Sequence, residues 1–120
     1  MANPVCQNDN LIIYNILRRL GIRPNHRGII FIMQAIKIIN DKNYDDVIIN
    51  DIYIEISNHY KNCTPLQIRK AIQYALKYRN EEKSKNNFES IFGYEYDEYI
   101  FTNKDFTEEV TRIIKMNVYE

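Results

Sequence analysis

Apolar residues recur along this chain at helical spacing, in blocks separated by polar caps and breakers. Ile13, Ile16, Leu17 and Leu20 fall on one face of a predicted helix over 11–20. Asp9 or Asn10 stands at its start and Gly21 at its stop. Arg18 and Arg19 close it, where cations suit the negative end of the helix dipole. A connection at 22–25 leads to a second helix over 26–40, with Asn25 as cap. Its apolar set, Ile29, Ile32, Met33, Ile36 and Ile39, is broad enough for a central core helix. After a polar loop, Asn50 is the predicted cap of a third helix over 51–61, with Ile52, Ile56 and Tyr60 at i, i+4 and i+8. The alternation from Asp51 to Ile56 also fits a strand; the cap and the continuation through His59 and Tyr60 favour the helix. Thr64 as N-cap and Pro65 at the first helical position mark the start of a fourth helix over 65–80. Then come a charged break at 81–86, a short fifth helix over 87–92 stopped by Gly93, and an alternating segment over 94–101, extended or a small hairpin. A last helix over 104–116, capped by Thr102 or Asn103, carries Phe106, Val110, Ile113 and Ile114. Residues 1–8 read as a flexible polar tail and 9–120 as a single helical domain.

Composition supports an all-α fold of about six helices. With only three Gly and three Pro in 120 residues, the chain lacks the turns of a many-stranded sandwich. Heavy use of Ile, Asn, Lys and Tyr, all with A/T-rich codons, tempers any reading of the isoleucines as β-propensity. The longest apolar-rich stretch, Gly28–Ile39, is interrupted by Gln34 and Lys37 and is too short to span a bilayer. No signal peptide opens the chain, so a soluble cytoplasmic protein with no membrane contact is expected. Cys6 and Cys63 lack CxxC spacing and read as free thiols in a reducing compartment. His26 and His59 lie in different predicted helices with no Cys/Asp cluster beside them, so no metal site is expected. No glycine-rich phosphate loop or catalytic constellation is visible; the expectation is no enzyme, no catalytic residue and no cofactor. The ten tyrosines read as core-edge residues rather than a stacking platform for single strands.

Charge sorting changes the picture more than net charge does. Sixteen basic and sixteen acidic residues cancel. Yet Lys61–Arg79 holds five Lys/Arg and no acid, and residues 11–40 hold four Arg and one Lys with no acid. The predicted third helix (51–61), tight turn and fourth helix (65–80) have the form of a helix-turn-helix, whose second helix presents its outer face to the major groove. On the fourth helix Ile68, Ala71, Ile72 and Ala75 cluster on one side, with Leu76 at the margin. The other side carries Leu66, Lys70, Gln73 and Lys77, flanked by Gln67, Arg69 and Tyr74. Gln pairs bidentately with adenine and Lys donates to guanine. Flanking cations neutralise phosphates. Thr64 and the helix N-terminus suit a phosphate, and Arg27 completes the candidate DNA-binding set. The competing reading is an ordinary solvated face.

The same residues carry a family likeness. Ile16-Leu17-Arg18-Arg19-Leu20-Gly21-Ile22, Gly28 followed by Gln34-Ala35-Ile36, Ile68–Leu76, Ser90-Ile91-Phe92-Gly93-Tyr94 and Thr102-Asn103-Lys104-Asp105-Phe106 occur in order, at nearly matching spacing. The chain resembles the C-terminal effector domain of the sporulation response regulator, stage 0 sporulation protein A, from about Ile12 to Val118. The resemblance implies a helical domain that binds double-stranded DNA through a helix-turn-helix, forms tandem dimers on repeated sites and contacts RNA polymerase. Two departures qualify it. The family joins this domain to a phosphoacceptor receiver, which this sequence does not contain; the alternatives are a standalone regulator, which Met1 and the short tail favour and which aspartyl phosphorylation is not expected to control, and a fragment of a longer protein. The reading face also differs: the family has Arg at the position of Gln67, Glu at Arg69, Arg at Lys70, Arg at Gln73 and His at Tyr74, and its turn is one residue shorter. A changed DNA site is the expected consequence. The alternative is an interaction protein that keeps the fold without binding DNA and antagonises or heterodimerises with a full-length relative.

Overall fold

The central apolar block forms a helix that is hydrophobic almost all round, and four of the other helices assemble on it. In the computed structural model, which describes residues 4–42 and 46–118, the order is α1 (Pro4–Arg19), α2 (Gly28–Lys42), α3 (Ile49–His59), α4 (Pro65–Lys77), α5 (Glu81–Phe92), a 3₁₀ turn (Glu98–Ile100) and α6 (Asn103–Val118). No strand occurs among the described residues. On α2, Ile29, Phe31, Ile32, Ala35, Ile36, Ile38 and Ile39 are all buried, a wider set than a single stripe, because α1, α3, α4 and α6 all pack against it. Ile13, Ile16 and Leu17 of α1, Leu20 just after it, Ile52 and Ile56 of α3, and Phe106, Val110 and Ile114 of α6 join the same core. At roughly 2–3 kcal/mol for each fully buried Ile or Leu, this cluster supplies most of the drive to fold.

Several boundaries differ from the sequence expectations. The first helix begins at Pro4 rather than after Asp9 or Asn10, so only residues 1–3 of the expected tail lie outside the described residues. Proline suits a first helical position, since its missing N–H would be unpaired there in any case. Residues 24–27 form turns, and α2 starts at Gly28 rather than His26. Helix α3 starts at Ile49, with Ile48 as its N-cap and no side-chain cap, so Asn50 lies inside the helix. Helix α4 ends at Lys77 rather than near Asn80. The charged stretch 81–86 is the first half of α5, not a break. Asn80 caps it through Lys83 N–H, Glu81 and Glu82 favour the positive end of its dipole, and Lys85 pairs with Glu81 one turn away. The segment 94–101 is irregular, with the 3₁₀ turn at its end, and is neither a strand nor a hairpin.

Two glycines hold the frame at close approaches. Gly21 ends α1 in the left-handed region (φ 93). Ile22 N–H bonds the Leu17 carbonyl and Gly21 N–H the Arg18 carbonyl, a Schellman pairing with buried Ile22 behind it. The carbonyls of Gly21 and Leu20 then accept from Asn80 N–H (2.8 Å) and the buried Ser84 hydroxyl (2.5 Å), joining the end of α1 to the start of α5. Gly28 lies where α2 meets α4: a Cβ there would strike the Ala71 carbonyl oxygen and approach the Ala75 Cβ to 2.6 Å. Gly93 also has positive φ (86) but faces open space.

These contacts rank the glycines. Gly21→Ala and Gly28→Ala should each lower the unfolding free energy by about 2–3 kcal/mol, because backbone on the far side cannot yield. Gly93→Ala should cost about 1–2 kcal/mol, the left-handed penalty alone. Urea denaturation followed by circular dichroism measures all three. A Gly28→Ala protein as stable as the parent would show that α2 and α4 do not meet this way.

Candidate nucleic-acid interface

Helix α4 is set up by its own first residues. Thr64 has extended backbone (φ −82, ψ 159), and its hydroxyl accepts from Gln67 N–H at 3.1 Å. Gln67 returns the bond: its side-chain oxygen accepts from Thr64 N–H at 2.9 Å. This capping box, with Pro65 at the first position, fixes where α4 starts and hence which side chains point out. Ile68, Ile72, Ala75 and Leu76 are buried, and Ala71 is half-buried against α2. Leu66, Gln67, Arg69, Lys70, Gln73, Tyr74 and Lys77 are exposed. Among the described residues, none of Arg69, Lys70 and Lys77 meets a carboxylate. Helix α3 packs on α4 from one side and α2 from another.

The expected site residues are brought to one surface, but they are not equally free. Gln67 has its carboxamide oxygen engaged in the cap. Tyr74 stands edge-on to His26, centroids 5.0 Å apart, and leans on Tyr78 at 4.5 Å, with the Lys77 ammonium 5.4 Å from the Tyr78 ring. His26 Nδ1 is buried with no hydrogen-bond partner among the described residues. Arg27 reaches from the start of α2 to the turn before α4, where its guanidinium donates to Cys63 Sγ and lies 5.5 Å from the Phe31 ring centroid. A cation therefore sits beside Thr64 and the positive end of α4. Arg69, Lys70, Gln73 and Lys77 remain as outward groups.

Beside them runs a groove of about 500 Å³, lined by Arg69, Gln73 and Lys77 of α4, by Tyr53 of α3, and by Phe101, Thr102 and Asn103 ahead of and at the start of α6. The Asn103 carboxamide spans its floor, donating to the Tyr53 hydroxyl at 2.9 Å and to the Arg69 carbonyl at 3.0 Å. Burial pushes the Tyr53 hydroxyl above its ordinary pKa, while the Asn103 bond and the Arg69 charge pull the other way. It therefore stays protonated and polar beneath the cations. Tyr53 and Asn103 were not expected here: they meet α4 only in three dimensions, and no local pattern places them.

Two groups of cations in the basic blocks lie elsewhere. Arg79 turns inward, donating to the Leu76 carbonyl, the Ser84 hydroxyl and the Tyr96 hydroxyl (each 2.9 Å), with its guanidinium 3.6 Å from the Phe101 ring centroid. It ties the end of α4 to α5 and to the segment before α6. Arg18, Arg19 and Arg23 cluster where α1 meets α5.

The chain matches the family described as sporulation initiation factor Spo0A C terminal over residues 13–114. It belongs to that family. Neither the curated proteins nor the solved structures gave a match. The Spo0A C-terminal match takes in α2 to α5 entire, the C-terminal part of α1, most of α6, and every candidate DNA-binding residue from Arg27 to Lys77. The family is one of DNA-binding transcription regulator domains of sporulation, not an enzyme family. Among the described residues no group of three His, Cys, Asp or Glu is placed to hold a metal ion, and no helix is long and apolar enough to cross a membrane.

The capping box has a direct test. Thr64→Ala and Gln67→Ala should each destabilise the protein by about 1 kcal/mol. The double variant should cost clearly less than their sum, because each bond supports the other. Thermal unfolding followed at 222 nm reads this; full additivity would mean the two bonds act independently.

Proposed function

We propose that this protein is a sequence-specific regulator of transcription that binds double-stranded DNA through α3, the intervening turn and α4, acting as a helix-turn-helix with α4 in the major groove. The observation that carries this reading is the outer face of α4: Arg69, Lys70, Gln73 and Lys77 are exposed, share one surface and meet no acid among the described residues. Membership of the Spo0A C-terminal family supports it.

On this reading each residue has a role. Lys70 and Gln73 stand on the outward side of a helix anchored by its cap and by α2, so they are the groups to meet base edges: Lys the acceptors of guanine, Gln the donor–acceptor pair of adenine. Arg69 and Lys77 flank the groove below α4 and suit a phosphate strand. Arg27 and Thr64 sit at the other end of α4, beside its N-terminus, where a second phosphate run would pass. Gln67 and Tyr74 serve mainly to hold the surface, through the cap and through the contact with His26. The face that differs from the resembling regulators is thus the outward one, and its consequence is a different target sequence. Tandem dimers on repeated sites and a contact with RNA polymerase belong to the same reading.

Fluorescence anisotropy with duplexes selected from a random pool and sequenced, at two salt concentrations, tests the proposal. An enriched motif whose binding weakens as salt rises is the expected result. Changing Lys70, Gln73 and Lys77 together to Ala should abolish binding with helicity unchanged. Arg69→Ala should weaken all sequences alike and reduce the salt slope by about one. No binding at low salt by the folded protein would overturn the reading and favour an interaction protein that has kept the fold without the DNA contacts.

A further inference from the structure

A second surface, built without α3 or α4, has a different chemistry. Two hollows meet at Arg19. One, of about 300 Å³ between α1, α5 and α6, has a mixed lining, with Ile16, Ile91, Ile113 and Met116 beside Arg19, Ser90 and Arg112. The other, of about 440 Å³, is lined by Arg18, Arg19 and Lys83 with the carboxamides of Asn15 and Asn87. Among the described residues no carboxylate lines either hollow. Among the described residues the three cations meet no acid, whereas Glu81 is taken by Lys85 and Glu109 by Arg112. The surface is also preformed. Arg19 donates to the Ser90 hydroxyl at 3.1 Å, and Asn87 donates to the Arg19 carbonyl at 2.8 Å, which fixes α5 against the end of α1.

Helix α1 extends the pattern. Leu11 is 60% exposed and Ile12 39%, two turns before Arg18 and Arg19. An apolar turn followed by a cationic turn, beside a cleft of mixed lining with a pliable Met116 at its edge, is laid out like the groove for an amphipathic helix. We infer that the α1–α5–α6 face docks an acidic amphipathic helical segment of a partner protein, with large apolar side chains entering the cleft and carboxylates meeting Arg18, Arg19 and Lys83. Charge complementarity selects this occupant: three uncompensated cations beside the exposed side chains of Leu11, Ile12 and Met116 call for acids and apolar groups on one face. A nucleic-acid backbone would use the cations but has nothing to place against Ile16, Ile113 and Met116. The surface is independent of the α4 face, so a DNA-bound protein would keep it free.

The test uses the full chain and a fluorescein-labelled 18-residue helical peptide carrying Leu in two successive turns of one face and Glu in the next two. A scrambled peptide of the same composition is the control. The patterned peptide should bind at least tenfold tighter than the scrambled one and weaken as salt rises. Amide shift changes should map to 11–19, 83–92 and 112–116. R19E/K83E should weaken binding tenfold or more. M116E, at a half-exposed position that leaves all three cations in place, should weaken it several-fold, and neither variant should alter binding to the duplex that α4 reads. Equal binding of the scrambled peptide, no binding at low salt, or shifts confined to 64–77 would overturn the inference. A loss of duplex affinity in R19E/K83E as large as that of the Lys70, Gln73 and Lys77 variant would assign the patch to DNA backbone and overturn it too.

Discussion

At Gly28 the backbone of α2 comes against α4, with no room for a Cβ between it and the Ala71 carbonyl or the Ala75 methyl. That contact sets how deep α4 sits on the central helix, and depth decides which side chains reach solvent. Were α4 lifted by one methyl group, Ile68 and Ile72 would lose part of their burial and the outer row would turn. The small residues on both sides are what let a short helix, buried along only one stripe, lie firmly enough to present a fixed surface. The capping box then sets the helix's rotational start, and Arg79 fastens its end. One face of thirteen residues is thereby held at both ends and in the middle.

The core was plain in the spacing of apolar residues. The predicted faces of α1, α3 and α6 are nearly the observed ones, since burial of Ile and Leu dominates local preference. Boundaries were less legible. The start of α5 was hidden because its first turns are polar on every side, with buried Ser84 facing inward, and its signals are an asparagine cap and a charge pair one turn apart, not a hydrophobic period. Helix α3 starts earlier than Asn50 because packing of the adjoining Ile49 outweighs an available cap.

The outward face of α4 was legible as a pattern of exposed side chains; their separate contacts were not. Gln67 looked like a base-reading group, yet its oxygen serves Thr64. Arg79 looked like one more surface cation, yet it bonds inward across three segments. Tyr53 and Asn103 entered only through tertiary packing, as α6 brings its first residue to the side of α4. Likewise, the basic character of residues 11–40 read as one feature, and the fold splits it: Arg27 goes to the turn before α4, and Arg18 and Arg19 go to the α1–α5 junction.

The way α4 is fastened has an evolutionary corollary. Its inner letters are pinned by the glycine contact and its first letters by the cap, while positions 69, 70, 73 and 77 make no side-chain bond that the fold needs. Such positions drift at almost no structural cost. A single codon change there remakes the surface without asking any neighbour to move, so lineages sharing this scaffold are free to part company at this face long before they part company in shape.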